Sequence, residues 1–164
     1  MLKPELEQKD LQQNKNVIDA TEVFNKEIDK IKLGEYRRAR QITVVKVPAK
    51  CWLEAGLKNE KIVMSVAVFY KVTKEKHNVD ENVIRALPNL IQDPLYIFKS
   101  STDSASFVGV LKAIEKSENG EKPLIAVIKP VSGKAELNVL TSVYGKDTDF
   151  VNRETAKGNL LYKK

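Results

Sequence analysis

The stretch "SFVGVLKAIEKSENGEKPLIAVIKPV", residues 106–131, contains two apolar, β-branched runs on either side of a turn sequence. Asn119-Gly120 between them is typical of a two-residue hairpin turn, because both residue types tolerate positive φ angles. The runs "LYIFKS" at 95–100 and "AELNVLTSVY" at 135–144 have the same character and are bounded by turn-forming residues. We therefore predict an antiparallel meander of about four strands in the second half of the chain.

Before this meander, apolar residues recur at three- and four-residue intervals, which is typical of helices. A first helix is expected over 19–36 with Gly34 at its end, and Ser65 and Asp80 are expected to cap two later helices. The other expected elements are strands near 42–47 and 60–65, helices over 49–57, 66–77 and 78–94, and a helix and a strand within 153–164. The sequence therefore predicts an α+β fold, with N-terminal helices followed by a roughly four-stranded antiparallel sheet.

The 164 residues are enough for one domain with a core of its own. Residues 1–17 are rich in Gln, Lys, Glu and Asn without periodic apolar positions, so we predict a disordered or frayed leader there. Residues 18–164 show no linker-like change in composition and are predicted to form a single α+β domain.

Composition and charge restrict the classes of function. The net charge of +6 suits a phosphate-bearing partner such as RNA, although many basic proteins bind no nucleic acid. No apolar run approaches the roughly 20 residues of a membrane span, and the polar N-terminus lacks the apolar segment of a secretory signal. Cys51 is the only cysteine, which excludes an intrachain disulfide and fits a reducing compartment. We expect no membrane association, no cofactor and no metal site.

His77 is the only histidine of the chain and lies in "KEKHNVDE" between two expected helices. With one His and one Cys, neither a metal-ligand cluster nor two-histidine catalysis can be built. Neighbouring lysines are expected to lower the pKa of His77, which would make it a general base or acid near neutral pH. The alternative is a surface histidine in a charged loop.

Two other polar stretches can bind an anion. "FKSST" at 98–102 offers Lys99, Ser100, Ser101 and Thr102 as phosphate ligands, although hydroxyl-rich turns are also ordinary hairpin connections. In "TSVYGK" at 141–146, strand alternation is expected to place Leu137, Val139, Thr141 and Val143 on one face and Ser142 and Tyr144 on the other. Lys146 follows the bend at Gly145, so this stretch is either a plain strand end or a group of proton donors.

Several stretches together resemble a known family. They are "VPAKCWLEAGLKNEKIVMS" at 47–65, residues 71–102 with the single His and "DPLYIFKS", "LNVLTSVYGK" at 137–146 and the closing "GNLLYKK". In this order they are similar to nuclease-like domains of the barnase–EndoU–colicin–RelE-like superfold. Such domains occur at the C-terminus of MuF-type phage head-morphogenesis proteins and in polyvalent proteins of phages and mobile elements. The resemblance covers roughly residues 18–164.

The resemblance implies a phage- or prophage-related, toxin-like ribonuclease that cleaves tRNA or another structured RNA without a metal. It would act in the cytoplasm of a bacterial host or be delivered with a phage particle, and a toxin would have an immunity protein as partner. The expected catalytic residues are His77, Tyr144 and Lys146, and the expected phosphate ligands are Lys99, Ser101, Thr102 and Ser142. Which residue is acid and which is base stays open.

Two alternatives remain at the level of sequence. A catalytically inactive relative would bind RNA or a partner protein through its lysines, and an enzyme acting on another phosphorylated substrate would use the same anion-binding residues. The ribonuclease hypothesis requires His77 to lie within about 10 Å of Tyr144, with room for one phosphate between them.

Overall fold

A computed structural model describes residues 20–118 and 120–164 of the chain. The helices of this part are α1 (20–32), α2 (Lys50–Glu54), α3 (Val66–Tyr70), a π-helical segment (Lys71–Glu75), α4 (Glu81–Arg85), α5 (Leu87–Gln92) and α6 (Phe150–Ala156). The strands are β1 (Gln41–Val45), β2 (Ile62–Ser65), β3 (Tyr96–Lys99), β4 (Phe107–Ser117), β5 (Gly120–Val131), β6 (Leu137–Gly145) and β7 (Leu160–Lys163). The predicted leader over residues 1–17 lies outside the described residues.

The strands form one mixed sheet in the order β1-β2-β6-β5-β4-β3-β7. Only β2 and β6 pair in parallel, while the other neighbours are antiparallel. The α+β class is therefore confirmed, but the expected four-stranded antiparallel sheet was too small. The meander β3–β6 is extended on one side by β2 and β1 and on the other by β7, through pairings between residues far apart in sequence.

Local signals placed most helix ends correctly. Gly34 has φ +74° and follows α1, as expected for a helix stop. The Ser65 hydroxyl accepts a hydrogen bond from the Val68 N–H, and the Asp80 carboxylate accepts one from the Asn82 N–H. Gly120 at the β4–β5 turn has φ +105°, which fits the predicted hairpin, whereas Asn119 lies outside the described residues.

Two predicted helices are interrupted. The helix expected over 66–77 changes from α- to π-helical geometry at Lys71, and the helix expected over 78–94 divides at Ala86 into α4 and α5. Pro88 in the first turn of α5 lacks the N–H that a continuous helix would need, which explains the second interruption.

The two faces of the sheet have separate cores. The helices α1–α5 pack on one face, where Phe24, Trp52 and Phe69 are completely or almost completely buried. The opposite face carries a smaller core built on Phe98 and Phe150, with α6 supplying the latter. Because α6 has only 7 residues, it covers part of this second face and leaves the area around Tyr144 partly open.

A β-bulge in β6 changes the predicted alternation. Val127 of β5 pairs with Ser142, but the next residue, Ile128, pairs with Leu140, so Thr141 is the extra residue. As a result Leu140 and Val143, three residues apart, both enter the main core. The expectation that Thr141 shares a face with Val143 was therefore wrong.

Candidate functional site

The π-helical segment brings His77 to the second face of the sheet. The main-chain carbonyl of Lys71 accepts hydrogen bonds from the N–H groups of Lys76 (2.9 Å) and His77 (3.1 Å). Asn78, with φ +24°, then turns the chain so that Val79 enters the core. Single π-turns are frequent at functional sites because they displace the side chains that follow them.

The ammonium of Lys71 connects this segment to β6. Its Nζ donates a hydrogen bond of 2.5 Å to the main-chain oxygen of Thr141, the bulge residue. The Thr141 hydroxyl in turn donates to the oxygen of Val127 at 3.3 Å. The two local irregularities of the backbone, the π-segment and the β-bulge, are therefore bonded to each other next to His77.

His77 and Tyr144 are in contact. Their ring centroids lie 4.9 Å apart with planes inclined by 16°, which is an offset-stacked arrangement. The structure thus brings the two together well within the distance that the ribonuclease hypothesis requires. Since their faces touch, a phosphate cannot lie between them, and a bound phosphate would instead contact the polar edges of the rings.

The surroundings of His77 favour its neutral form. Partial burial lowers the pKa of His77, and the nearby ammonium groups of Lys76 and Lys71 lower it further. The Glu115 carboxylate opposes this shift and raises the pKa, but its effect is smaller. A neutral imidazole at neutral pH can accept a proton.

Two pockets meet at Tyr144. We call the first the cationic pocket, a depression of about 460 Å³ lined by Lys71, Lys76, His77, Val127, Thr141, Ser142 and Tyr144. Ser142 is only 9% exposed, and its hydroxyl has no hydrogen-bond partner within the described residues. A buried hydroxyl without a partner is costly, but the Ser142 oxygen is itself buried, so a ligand in this pocket reaches it only if neighbouring side chains move.

The second, which we call the hydroxyl pocket, has a volume of about 380 Å³ and shares Val127, Thr141 and Tyr144 with the first. Ser100, Ser101 and Thr102 line its rim. The Ser100 hydroxyl already interacts with the Thr102 hydroxyl at 3.2 Å and accepts a bond from the N–H of Asp103. This internal bonding is that of an ordinary tight turn.

Lys146 lies in the hydroxyl pocket. Its Nζ is 5.3 Å from the centroid of the Tyr144 ring and 5.5 Å from that of Phe150, in cation–π geometry. Lys146, the third predicted catalytic residue, is thus adjacent to Tyr144. It directly follows Gly145, the last residue of β6. His77, Tyr144 and Lys146 therefore form one contiguous group.

Glu154 on α6 also lines the hydroxyl pocket and is almost completely buried. Burial raises the pKa of Glu154, but the Lys157 ammonium, 3.2 Å away, and interactions with Ser101 and Asn159 outweigh it and lower the pKa overall. Glu154 is therefore an anion in the wall of this pocket.

Lys99 is not brought to either pocket. It is paired directly with Phe107, which packs against the helix-covered core, so Lys99 points to the face opposite Tyr144. Lys99 therefore cannot contact a phosphate bound in either pocket; the lysines that line the hydroxyl pocket are Lys129 of β5 and Lys146.

Sequence reasoning did not identify Lys71, Lys76, Lys129, Glu115 and Glu154 as site residues. Of the three lysines before His77 in "KVTKEKH", Lys71 and Lys76 line the site, so this cluster was a usable signal. Lys129 and Glu154 join the site only through strand pairing and the docking of α6, which no local pattern indicates.

Within residues 20–118 and 120–164, no three His, Cys, Asp or Glu side chains are grouped so that they could hold a metal ion. No helix in that part of the chain has the length and apolar character needed to cross a membrane.

Comparison with known proteins identifies a family. The family model described as the phage MuF-C-terminal domain matches residues 69–164, which is more than half of the chain and includes every residue that lines the two pockets. No curated protein and no solved structure matches the chain. The chain belongs to the phage MuF-C-terminal domain family.

Proposed function

We propose that this phage domain is a toxin-like, metal-independent ribonuclease whose scissile phosphate binds in the cationic pocket. The observation that carries the proposal is the stack of His77 on Tyr144 beside two lysines, Lys71 and Lys76. A phosphodiester would be held by the lysine ammonium groups and, once side chains around its buried oxygen move, by the Ser142 hydroxyl.

The proposed reaction is an internal transesterification. Neutral His77 accepts the proton of the ribose 2′-OH, and the 2′-oxygen forms a bond to phosphorus. The bond from phosphorus to the 5′-oxygen breaks, and a protein donor supplies the proton that this oxygen needs. The products are a 2′,3′-cyclic phosphate and a free 5′-hydroxyl, with no change in oxidation state.

Two residues can donate that proton, the phenol of Tyr144 and the ammonium of Lys146. Tyr144 touches His77, whereas Lys146 lies over the Tyr144 ring. Replacement by Tyr144→Phe removes the first donor and keeps the stack, and Lys146→Met removes the second. The variant with the larger loss of cleavage rate, at equal RNA affinity, identifies the donor.

The test incubates the purified chain with total RNA and with a purified tRNA in the presence of EDTA. We expect cleavage with 2′,3′-cyclic phosphate ends, abolished by His77→Ala. Lys99→Ala and Tyr96→Phe are matched controls, because neither residue lines a pocket, and both should cleave normally. Intact RNA under all conditions, or cleavage unchanged by His77→Ala, would contradict the proposal.

The toxin part of the proposal has its own readout. Expression of the chain in a bacterial host should slow growth, and His77→Ala should restore it. A toxin of this kind requires an immunity protein, and the net charge of +6 favours an acidic surface on that partner.

The alternative function is RNA binding without cleavage. It is favoured by one observation, that the cationic pocket contains no carboxylate that could act as a second acid–base group. RNA affinity that falls steeply with salt while the RNA stays intact would support this alternative.

A further inference from the structure

The two pockets that meet at Tyr144 differ in charge. Among the residues that line the cationic pocket, Lys71 and Lys76 contribute +2 and no carboxylate is present. The hydroxyl pocket has Lys129 and Lys146 but also Asp103 and Glu154, so its formal net charge is zero. A phosphate is attracted to the first pocket and has no net attraction to the second.

The cations of the hydroxyl pocket are already engaged. Lys129 forms an ion pair of 3.2 Å with Asp103, and Lys146 lies over the rings of Tyr144 and Phe150. At the rim, the Ser100 and Thr102 hydroxyls are bonded to each other, and Ser101 interacts with Glu154 of α6. These groups are therefore poorly placed to compete with the cationic pocket for a phosphate.

The floor of the hydroxyl pocket is apolar. Val108, Ile125, Val127 and Phe150 line it, together with the ring of Tyr144. An apolar and aromatic floor beneath a polar rim is typical of sites for uncharged ligands with a flat ring, and aromatic side chains stack on nucleobases of any sequence.

We propose that the hydroxyl pocket is a nucleoside subsite, which holds the base and ribose of the nucleotide next to the phosphate in the cationic pocket. The proposal rests on the proposed function for the location of the phosphate. It reassigns Ser101 and Thr102, which were expected to bind phosphate, to the rim of a site for an uncharged nucleoside. Tyr144, one of the three residues that line both pockets, marks the boundary between the two subsites.

The experiment maps each subsite with a separate probe. The full chain is titrated by NMR with inorganic phosphate and, independently, with each of the four ribonucleosides. The methyl signals of Val108 and Ile125 report on the hydroxyl pocket, and the imidazole signals of His77 report on the cationic pocket. We expect ribonucleosides to shift the methyl signals and phosphate to shift the imidazole signals.

A matched pair of loop variants makes the assignment specific. Ser101→Trp places a large ring in the hydroxyl pocket, whereas Ser104→Trp adds the same ring to the same exposed loop outside it. Ser101→Trp should weaken nucleoside binding by at least about tenfold and leave the response to phosphate intact, while Ser104→Trp should change neither. Exposed positions are chosen so that both variants fold.

The outcomes separate this proposal from the proposed function. Nucleoside-induced shifts at Val108 and Ile125 that Ser101→Trp removes support the subsite, whether or not RNA is cleaved. Absence of such shifts at millimolar nucleoside, or methyl shifts caused by phosphate alone, overturns it even if the chain cleaves RNA.

Discussion

Replacement of Lys71 by methionine tests the connection between the π-helical segment and the β-bulge. Lys71→Met keeps the length and the apolar part of the side chain but removes the ammonium that donates to Thr141 at 2.5 Å. A hydrogen bond from a charged group contributes about 1.5–3 kcal/mol, and partial exposure of Lys71 reduces this to about 1–2 kcal/mol. The melting temperature should therefore fall by about 2–8 °C, given about 2–4 °C per kcal/mol for a domain of this size.

The same replacement should change the titration of His77. Since the charge of Lys71 is one of the causes that lower the pKa of His77, its removal should raise that pKa. Looser attachment of the segment also exposes the ring, which reduces the desolvation that lowers the pKa. His77 is the only histidine in the chain, so its imidazole signals give an unambiguous NMR titration curve.

The matched control is Lys74→Met, which removes an exposed ammonium from the same segment. It should leave both the melting temperature and the His77 titration nearly unchanged. If Lys74→Met and Lys71→Met behave alike, or if Lys71→Met leaves the pKa of His77 where it was, the hydrogen bond to Thr141 does not position His77.

Three further predictions concern stability and electrostatics. Gly109→Ala places a methyl group 2.7 Å from Cη2 of the fully buried Trp52. Urea denaturation should show that the free energy of unfolding falls by about 1–3 kcal/mol. An unchanged denaturation midpoint would mean that the Trp52 ring can shift. Glu115→Gln removes the group that raises the pKa of His77, so NMR titration should show a lower pKa, and a rise would contradict the assigned contact. The pKa of His77 in the folded chain lies below its unfolded value of about 6.5, so the unfolded chain takes up the proton first as the pH falls. The free energy of unfolding should therefore decrease below about pH 6.5. This decrease should disappear in the His77→Gln variant.

Patterns confined to a few neighbouring residues predicted the structure well. The helix stop at Gly34, the caps at Ser65 and Asp80 and the hairpin at Gly120 all depend on local backbone preferences. The four strands of the meander were also placed correctly, because each is a continuous apolar run between turn residues. Tyr144 and Ser142 were correctly expected on one side of β6, because the pairing beyond the bulge is regular and residues two apart in a strand share a face.

Features that depend on distant pairing could not be predicted in this way. The parallel pairing of β2 with β6 joins Ile62 to Asn138 across more than 70 residues, so the sheet was expected to have too few strands. The bulge adds one residue, Thr141, to a strand, and the π-turn at Lys71 adds one residue to a helix. One added residue barely changes the spacing of apolar residues in the sequence, so neither irregularity could be recognised there. These two irregularities nevertheless decide which side chains surround His77.

The parallel pair β2–β6 also determines where the chain can be cut. The family match begins at residue 69, inside α3, yet β1, β2, α1 and α2 all precede it. A fragment that starts there would lose the buried side chains of Phe24, Trp52 and Met64 and would expose the edge of β6 at Asn138 and Val139. An unpaired edge strand of this kind is a site for aggregation. The smallest piece that is expected to fold therefore extends well upstream of the matched region, to include the helix over residues 20–32.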